Sequence, residues 1–464
     1  MLLSYIIAAV LASVDPVYEG IEREIVQSDV AITARQKQLK DRVSVDAYRA
    51  LVKTGPEGEI WTAALQKALD EHEIVTIPAR EEKYFIDATV FLPGNRRIEA
   101  AGATMRLTTE AKCVMLATKS AADGTWQPID KATRSSNIAI GGGRWEDSVL
   151  KRAGYGSSGR LGRRAMGDFY GVSTLFYLGN ANSVTVKDAT FHHCGGFSIQ
   201  IGDASEGHLE HIRFDHCFAD GIHMNGNLER VHIKDVRGEV GDDLVALNAY
   251  DWLNSSVNFG PQRCVIAEDL ELTGGYPATR ILPAKYRYKD GSIVDCSISQ
   301  IILRRVKGID HFKMYLQPPR WKIGGGHEWG ETGSGGDIFF EDLEIRMGAP
   351  IENNPRDPKR GHYAPFMVAA DMSRLSFKNL TLKIGKGFDP EFGHLIAIGP
   401  LSWVVEGKDG AKCETFAPWV SNTVKKLEIE GVRIEGGNIP ELLHLTAFDN
   451  INGDGDSSGC GRLE

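Results

Sequence analysis

The sequence predicts an all-β chain folded as a right-handed parallel β-helix, closed at its start by a short capping helix. Three observations carry this: a strand-like phrase recurs along the chain, its copies keep a constant minimum spacing, and each copy ends in a turn-forming residue.

The phrase is apolar, any, apolar, any, then Asp, Asn or Gly, usually followed by another apolar residue. It occurs as Val184-Thr185-Val186-Lys187-Asp188, Val231-His232-Ile233-Lys234-Asp235 and Val265-Ile266-Ala267-Glu268-Asp269. Later copies are Ile338-Phe339-Phe340-Glu341-Asp342, Leu375-Ser376-Phe377-Lys378-Asn379 and Leu427-Glu428-Ile429-Glu430-Gly431. An early copy ends at Gly142, and weaker ones place His211 and Arg305 in the closing slot. Slots 188, 211, 235, 269, 305, 342 and 379 are separated by steps of 23, 24, 34, 36, 37 and 37. A minimum near 23 residues, with later steps longer by about a dozen, describes one unit carrying loop insertions. Alternation with period two marks strands, and the closing Asp, Asn or Gly marks turns. Strands this short bury a face only by stacking coil on coil. A propeller repeats at about 40 residues or more with four strands per blade, too long for this minimum.

Along the chain, residues 1–16 form a signal-like segment. Its apolar run MLLSYIIAAVLASV is too short to span a bilayer as a helix. Ala12-Ser13 suits a signal cleavage site, although no Lys or Arg precedes the run, and a packed N-terminal segment is the alternative. The signal reading predicts a secreted or periplasmic protein. Residues 17–55 are charge-rich with helical spacing and form an N-terminal extension with no evident place on the solenoid. Trp61 to Asp70 reads as an amphipathic helix that caps the open end of the stack, ahead of strands at Ile74–Pro78 and Tyr84–Ile86. The β-helix is assigned to residues 56–445. Long loops are expected from Ser148 to Tyr170, rich in Gly and Arg, and from Pro318 to Gly336, with Trp321, His327, Glu328 and Trp329. Loops of this kind line binding faces on solenoids, and aromatic residues in them suit sugar stacking. Residues 446–464 read as a flexible acidic tail. Its Asn450 to Asp456 run departs from a calcium loop, with Asn at the first position and Gly461 at the twelfth.

A net charge of −9 and a pI near 5.9 argue against nucleic acid as partner, since phosphate binding needs a basic surface. The seven cysteines contain no CxxC pair and read as inert thiols in strands. No cofactor motif is present, neither GxGxxG after a strand, nor a P-loop, nor HExxH, and no metal site is assigned.

Chemistry is expected where the repeat stacks acids. Asp220 lies 9 residues past slot 211 and Asp243 lies 8 past slot 235. Aligning Ile222-His223-Met224 with Val245-Ala246-Leu247 removes the difference and stacks Asp220 on Asp243, with Asp242 beside them. Lys313, 8 past slot 305, falls on the same face two coils on, about 10 Å along the groove. Crowded carboxylates raise one pKa, which keeps a general acid protonated near neutral pH. An inverting glycosidase needs one such acid and one ionised carboxylate to activate water. Asp residues in the closing slots are explained as turn residues. Three acids outside the slots are not.

Ala219-Asp220-Gly221-Ile222-His223, followed by Gly241-Asp242-Asp243, resembles the polygalacturonase family, glycoside hydrolase family 28. That family carries Asn-Thr-Asp-Gly-Ile-Asp and then Gly-Asp-Asp at nearly this distance. Ile77-Pro78 and Gly142-Gly143-Arg144-Trp145 are also similar, and the likeness covers roughly residues 56 to 385. It implies that Asp242 is the general acid, that Asp220 and Asp243 hold the attacking water, and that the anomeric centre inverts. The family's Arg-Ile-Lys phrase corresponds best to His311-Phe312-Lys313, where only the Lys is kept. Its Gly-His-Gly phrase falls near Gly274 to Leu282, which holds no histidine. Arg280 or His311 is the candidate replacement, and the substitution puts galacturonate as the substrate in question. His223 is assigned to groove or core alike, while Asn248 and Trp252 are candidate sugar contacts. The expected partner is a polysaccharide or oligosaccharide. Lys313 and Arg280 also suit a lyase or epimerase on the same scaffold, and a carbohydrate-binding solenoid without catalysis is the third reading.

Overall fold

The computed structural model describes residues 15–111, 113–122, 133–147, 174–249, 260–287, 293–315, 331–348, 364–388, 393–398 and 423–439, plus short strands between and beyond them. Trp252, residues 148–173 and the N-terminal apolar run lie outside the described residues, as do residues 318–319, 322–326 and 329–330 of the 318–336 loop. In the tail, Phe448–Asp449 and Ser458–Gly459 pair with Leu401–Glu406, and most of the remainder is outside them too.

Parallel strands stack into three ladders that form the three faces of a solenoid. The first face runs in unbroken register through the repeat phrase: Val75, Ile98, Ile140, Val186, Leu209, Ile233, Ala267, Leu303, Phe340, Phe377 and Ile429 lie one above another. These side chains point inward, as alternation requires. The second face continues from each closing slot, and the third carries strands such as Phe197–Ala204, Val245–Asn248, Ala278–Leu282 and His311–Tyr315.

The slot is a left-handed corner. Residues 188, 211, 235, 269, 305, 342 and 379 all have φ between 47° and 57°. That conformation crowds Cβ against the next carbonyl, and Gly, Asn and Asp adopt it at least cost. The recurrence of these residues is therefore a backbone requirement, and His211 and Arg305 meet it at some expense.

Inside, aromatic rings stack coil on coil. Phe340 lies 5.1 Å from Phe377 in a parallel stack and 4.9 Å from Phe366 edge-on. Phe340 is fully buried, so Phe340→Ala is expected to cost about 3–5 kcal/mol in urea unfolding, as for other buried Phe truncations. Cys194, Cys217 and Cys264 are buried free thiols.

A helix caps the N-terminal end as expected. Thr62–Glu71 (α2) buries Ala64, Leu65, Ala68 and Leu69 against the first coils. Arg42–Ser44 pairs with Ile74–Thr76, so the first rung precedes residue 56.

The extension resolves into Pro16–Gln36 (α1), started by Asp15, whose carboxylate accepts hydrogen bonds from the backbone N–H of Val17 and Tyr18. A helix of 21 residues is about 31 Å long, the height of about six coil spacings at 4.8 Å. It lies along the outer side of the first face, roughly parallel to the solenoid axis. Near its start Asp15 pairs with Arg374, and at its end Gln36 donates to Asn137. Ile21 and Ile25 cover Cys264, Ile266, Ile302 and Phe339. Those four point outward, which explains why Ile266, Ile302 and Phe339 break the alternation of the phrase: that part of the sheet is buried on both sides. Among the described residues no helix is long and apolar enough to cross a membrane.

Candidate active site

Two glycines set the approach of the acid-bearing turns. A Cβ on Gly221 would lie 2.7 Å from the Leu244 carbonyl oxygen and from the Phe214 ring, and one on Gly241 would lie 2.2 Å from the Phe218 oxygen. Only glycine lets successive turns come this close. The Gly221 N–H then donates to the Asp243 carbonyl at 3.0 Å, and Ile222 pairs with Val245. Asp220 therefore sits directly above Asp243, in the register that the sequence predicts.

Oxygens of Asp220, Asp242 and Asp243 lie within 4.8 Å of one another. All three acids are buried; Asp242 is the most accessible at 6%. Asp220 contacts His223 Nδ1 at 2.5 Å through one oxygen. Its other oxygen and both oxygens of Asp243 make no hydrogen bond among the described residues. Burial and the neighbouring Asp242 charge raise the Asp220 pKa above the usual carboxylate range. Burial pushes Asp243 up further, against the pull of Arg280 and Lys313 and with the repulsion of the other two acids. Crowding of this kind favours retention of a proton by Asp220 or Asp243.

Arg280 is the counter-charge. Its Nη2 lies 3.3 Å from Asp242 and its Nε 3.4 Å from Asp243. Lys313 pairs in register with Arg280 on the next coil, hydrogen-bonds the Tyr276 hydroxyl and lies 4.4 Å from that ring's centre. The cation expected two coils from the acids is thus joined by a second one between them. His311 lies two residues before Lys313, where burial and the Lys313 charge push its pKa down to about 3, so it is a neutral imidazole.

His223 faces the groove, since its strand neighbours Ile222 and Met224 fill the core. Its ring stacks on Phe197 at 3.8 Å with planes 7° apart. Asn248 is 1% exposed on the same outward side, and neither of its side-chain polar atoms has a hydrogen-bond partner among the described residues. The register thus brings Arg280, Lys313, His223 and Asn248 to the acid-bearing face, with His311 at its margin. Trp252 cannot be placed among them.

Phe197 and Tyr276 are site residues that the sequence reading missed. Tyr276 stands in the Gly274–Leu282 stretch, from which the sequence reading takes only Arg280. An aromatic there, one coil before Lys313, was the available signal. An open cavity of ≈ 460 Å³ lies on later coils, lined by Ser299, Gly335, Ser373 and Lys425 among others, and none of the acids lines it.

No family model and no curated protein matches this sequence. Solved structures do. The tailspike protein of E. coli bacteriophage HK620, a mutant in complex with a pentasaccharide, matches with a TM-score of 0.53 at 11% identity over 89% of this chain. The chain spans 66% of that tailspike's length. Endo-xylogalacturonan hydrolase from Aspergillus tubingensis matches at 10% identity and TM-score 0.46, over 87% of this chain and 95% of its own. PfbA, a surface adhesin of Streptococcus pneumoniae, is a more distant match, at 12% identity and TM-score 0.34 over 83% of this chain and 99% of its own. At such identities the likeness is one of fold, and the fold is the right-handed parallel β-helix.

Proposed function

We propose that this chain is a glycoside hydrolase that cleaves a glycosidic bond in a polysaccharide by general acid/base chemistry at Asp220, Asp242 and Asp243. One observation carries the reading: two successive coils bring three desolvated carboxylates within 4.8 Å of one another beside Arg280. Such crowding costs stability and has no structural use on a solenoid flank. Asp242, the most accessible of the three, delivers the proton to the leaving oxygen. Asp220 and Asp243 orient the attacking water, with His223 fixing Asp220. Arg280, Lys313 and Asn248 hold the sugar, and the two cations suit a uronic acid. A secreted or periplasmic location fits a polymer substrate.

Inverting enzymes usually hold their two carboxyls about 6.5–9.5 Å apart and retaining enzymes about 5–5.5 Å. The oxygens here are closer than either window, so the inverting outcome rests on the family 28 resemblance. Reducing-sugar release from a panel of acidic and neutral polysaccharides, followed by NMR of the first anomer formed, tests both points. Inversion is expected. A retained anomer would overturn the water-activating role of Asp220 and Asp243, and no release from any polymer would sink the hydrolase reading.

The contact between Lys313 and the Tyr276 hydroxyl favours a second reading, a lyase or epimerase with this pair as base. Ultraviolet absorbance from an unsaturated product would establish a lyase in its place.

A further inference from the structure

The helix α1 meets the first face at a second cluster of titratable groups, remote from the acids of the groove. His208 and His232 are register partners on adjacent coils, both pointing outward beneath α1. The two oxygens of Asp29 bridge them, one 2.6 Å from His208 Nδ1 and the other 2.7 Å from His232 Nδ1. Each ring's far nitrogen meets another carboxylate: His208 Nε2 lies 3.2 Å from Glu210, and His232 Nε2 lies 3.1 Å from Glu268. These two glutamates are themselves anchored, Glu210 by Lys187 and Glu268 by Arg304 and Arg305.

A neutral imidazole has one N–H and one lone pair. Each of these rings has a carboxylate oxygen at both nitrogens, so a neutral ring would aim a lone pair at an anion. The network is relieved by two added positive charges. Two protons supply them, and so does one divalent ion at the centre, in place of the two Nδ1 protons.

We propose that Asp29, His208 and His232 form a binding site for a borderline divalent transition ion such as Zn²⁺, which staples α1 to the solenoid. Two imidazoles and a carboxylate are a common ligand set for such an ion. A carboxylate on the far nitrogen of each ligating His is the usual outer-shell arrangement, orienting the ring and raising its basicity. The candidate ligand atoms already lie within 4.8 Å of one another. Ligands about 2.0–2.1 Å from a tetrahedral ion stand about 3.3 Å apart. The Asp29 oxygens, now 2.6 and 2.7 Å from the two Nδ1 atoms, must withdraw to about 3.3 Å to admit the ion, and a surface helix allows that. Water completes the coordination, because Asp29 is partly exposed.

The full chain, stripped with a chelator, is titrated with Zn²⁺ by calorimetry and with Co²⁺ by visible absorption. One ion per chain is expected, with proton release, cobalt ligand-field bands and a higher Tm in Zn²⁺ but not in Mg²⁺. Glu268→Gln replaces no proposed ligand, only the outer hydrogen-bond partner of His232, and is expected to weaken Zn²⁺ about 10–100-fold. His208→Asn with His232→Asn is expected to abolish the cobalt bands. Should that double variant fail to fold, the wild-type titrations and Glu268→Gln still decide. If wild-type protein shows no cobalt bands, or if Zn²⁺ affinity is unchanged in these variants, the network is held by protons alone and the proposal is overturned.

Discussion

Asp242→Asn is expected to lower kcat/KM by about 10²–10⁴-fold, the range that loss of a general acid or base produces. The amide keeps the shape of the carboxyl but carries no transferable proton. Stability should hold or rise slightly, because one of three crowded acids is gone while Arg280 keeps Asp243 as a partner. Reducing-sugar assays beside thermal unfolding check both halves. Undiminished turnover in a folded Asp242→Asn variant would remove Asp242 from the chemistry and leave the binding-solenoid reading. Asp243→Asn separates the roles further. If Asp243 only orients water, the variant keeps the alkaline limb of the pH–rate profile, where the general acid loses its proton, while kcat falls. A displaced limb would make Asp243 the carrier of the proton.

The second large effect belongs to Arg280→Leu. Arg280 is 3% exposed and meets both Asp242 and Asp243, so its loss leaves buried carboxylates without their nearest counter-charge. Breaking a buried pair in this way costs about 3–5 kcal/mol. The cost depends on pH with a definite sign. Asp220 and Asp243 have pKa values raised above the carboxylate value of 3.8, so over that window the folded chain binds more protons than the unfolded one. Stability is therefore greatest below pH 3.8 with respect to these groups, and falls as pH rises through their folded-state pKa values. Removing Arg280 raises those values further. The gap between Arg280→Leu and wild type should then widen from mildly acidic to mildly alkaline pH in urea unfolding. A pH-independent gap would mean that Arg280 acts through packing rather than charge.

Much of this architecture was legible in the residues. The closing slot could be found because a left-handed corner accepts few residue types, so the same chemistry recurs wherever the backbone makes that turn. The stacking of Asp220 on Asp243 could be counted because no insertion lies between slots 211 and 235 and their acids. The capping helix showed in its own 3.6-residue pattern.

Other features depended on contacts that counting does not reach. The place of α1 was one, although Ile266, Ile302 and Phe339 marked in advance where the sheet is covered. Arg280 was only one of two candidates, because loop insertions on either side of its strand hide its offset from the slot. His223 was undecided between groove and core until the register at Ile222 and Val245 showed which neighbours point inward. The sequence by itself determined the repeat, its corners and the stacked acids, because each is a local pattern with a constant spacing. Only the tertiary structure decided which cation meets the acids and where the helix lies, because those depend on chain segments of variable length closing over the solenoid.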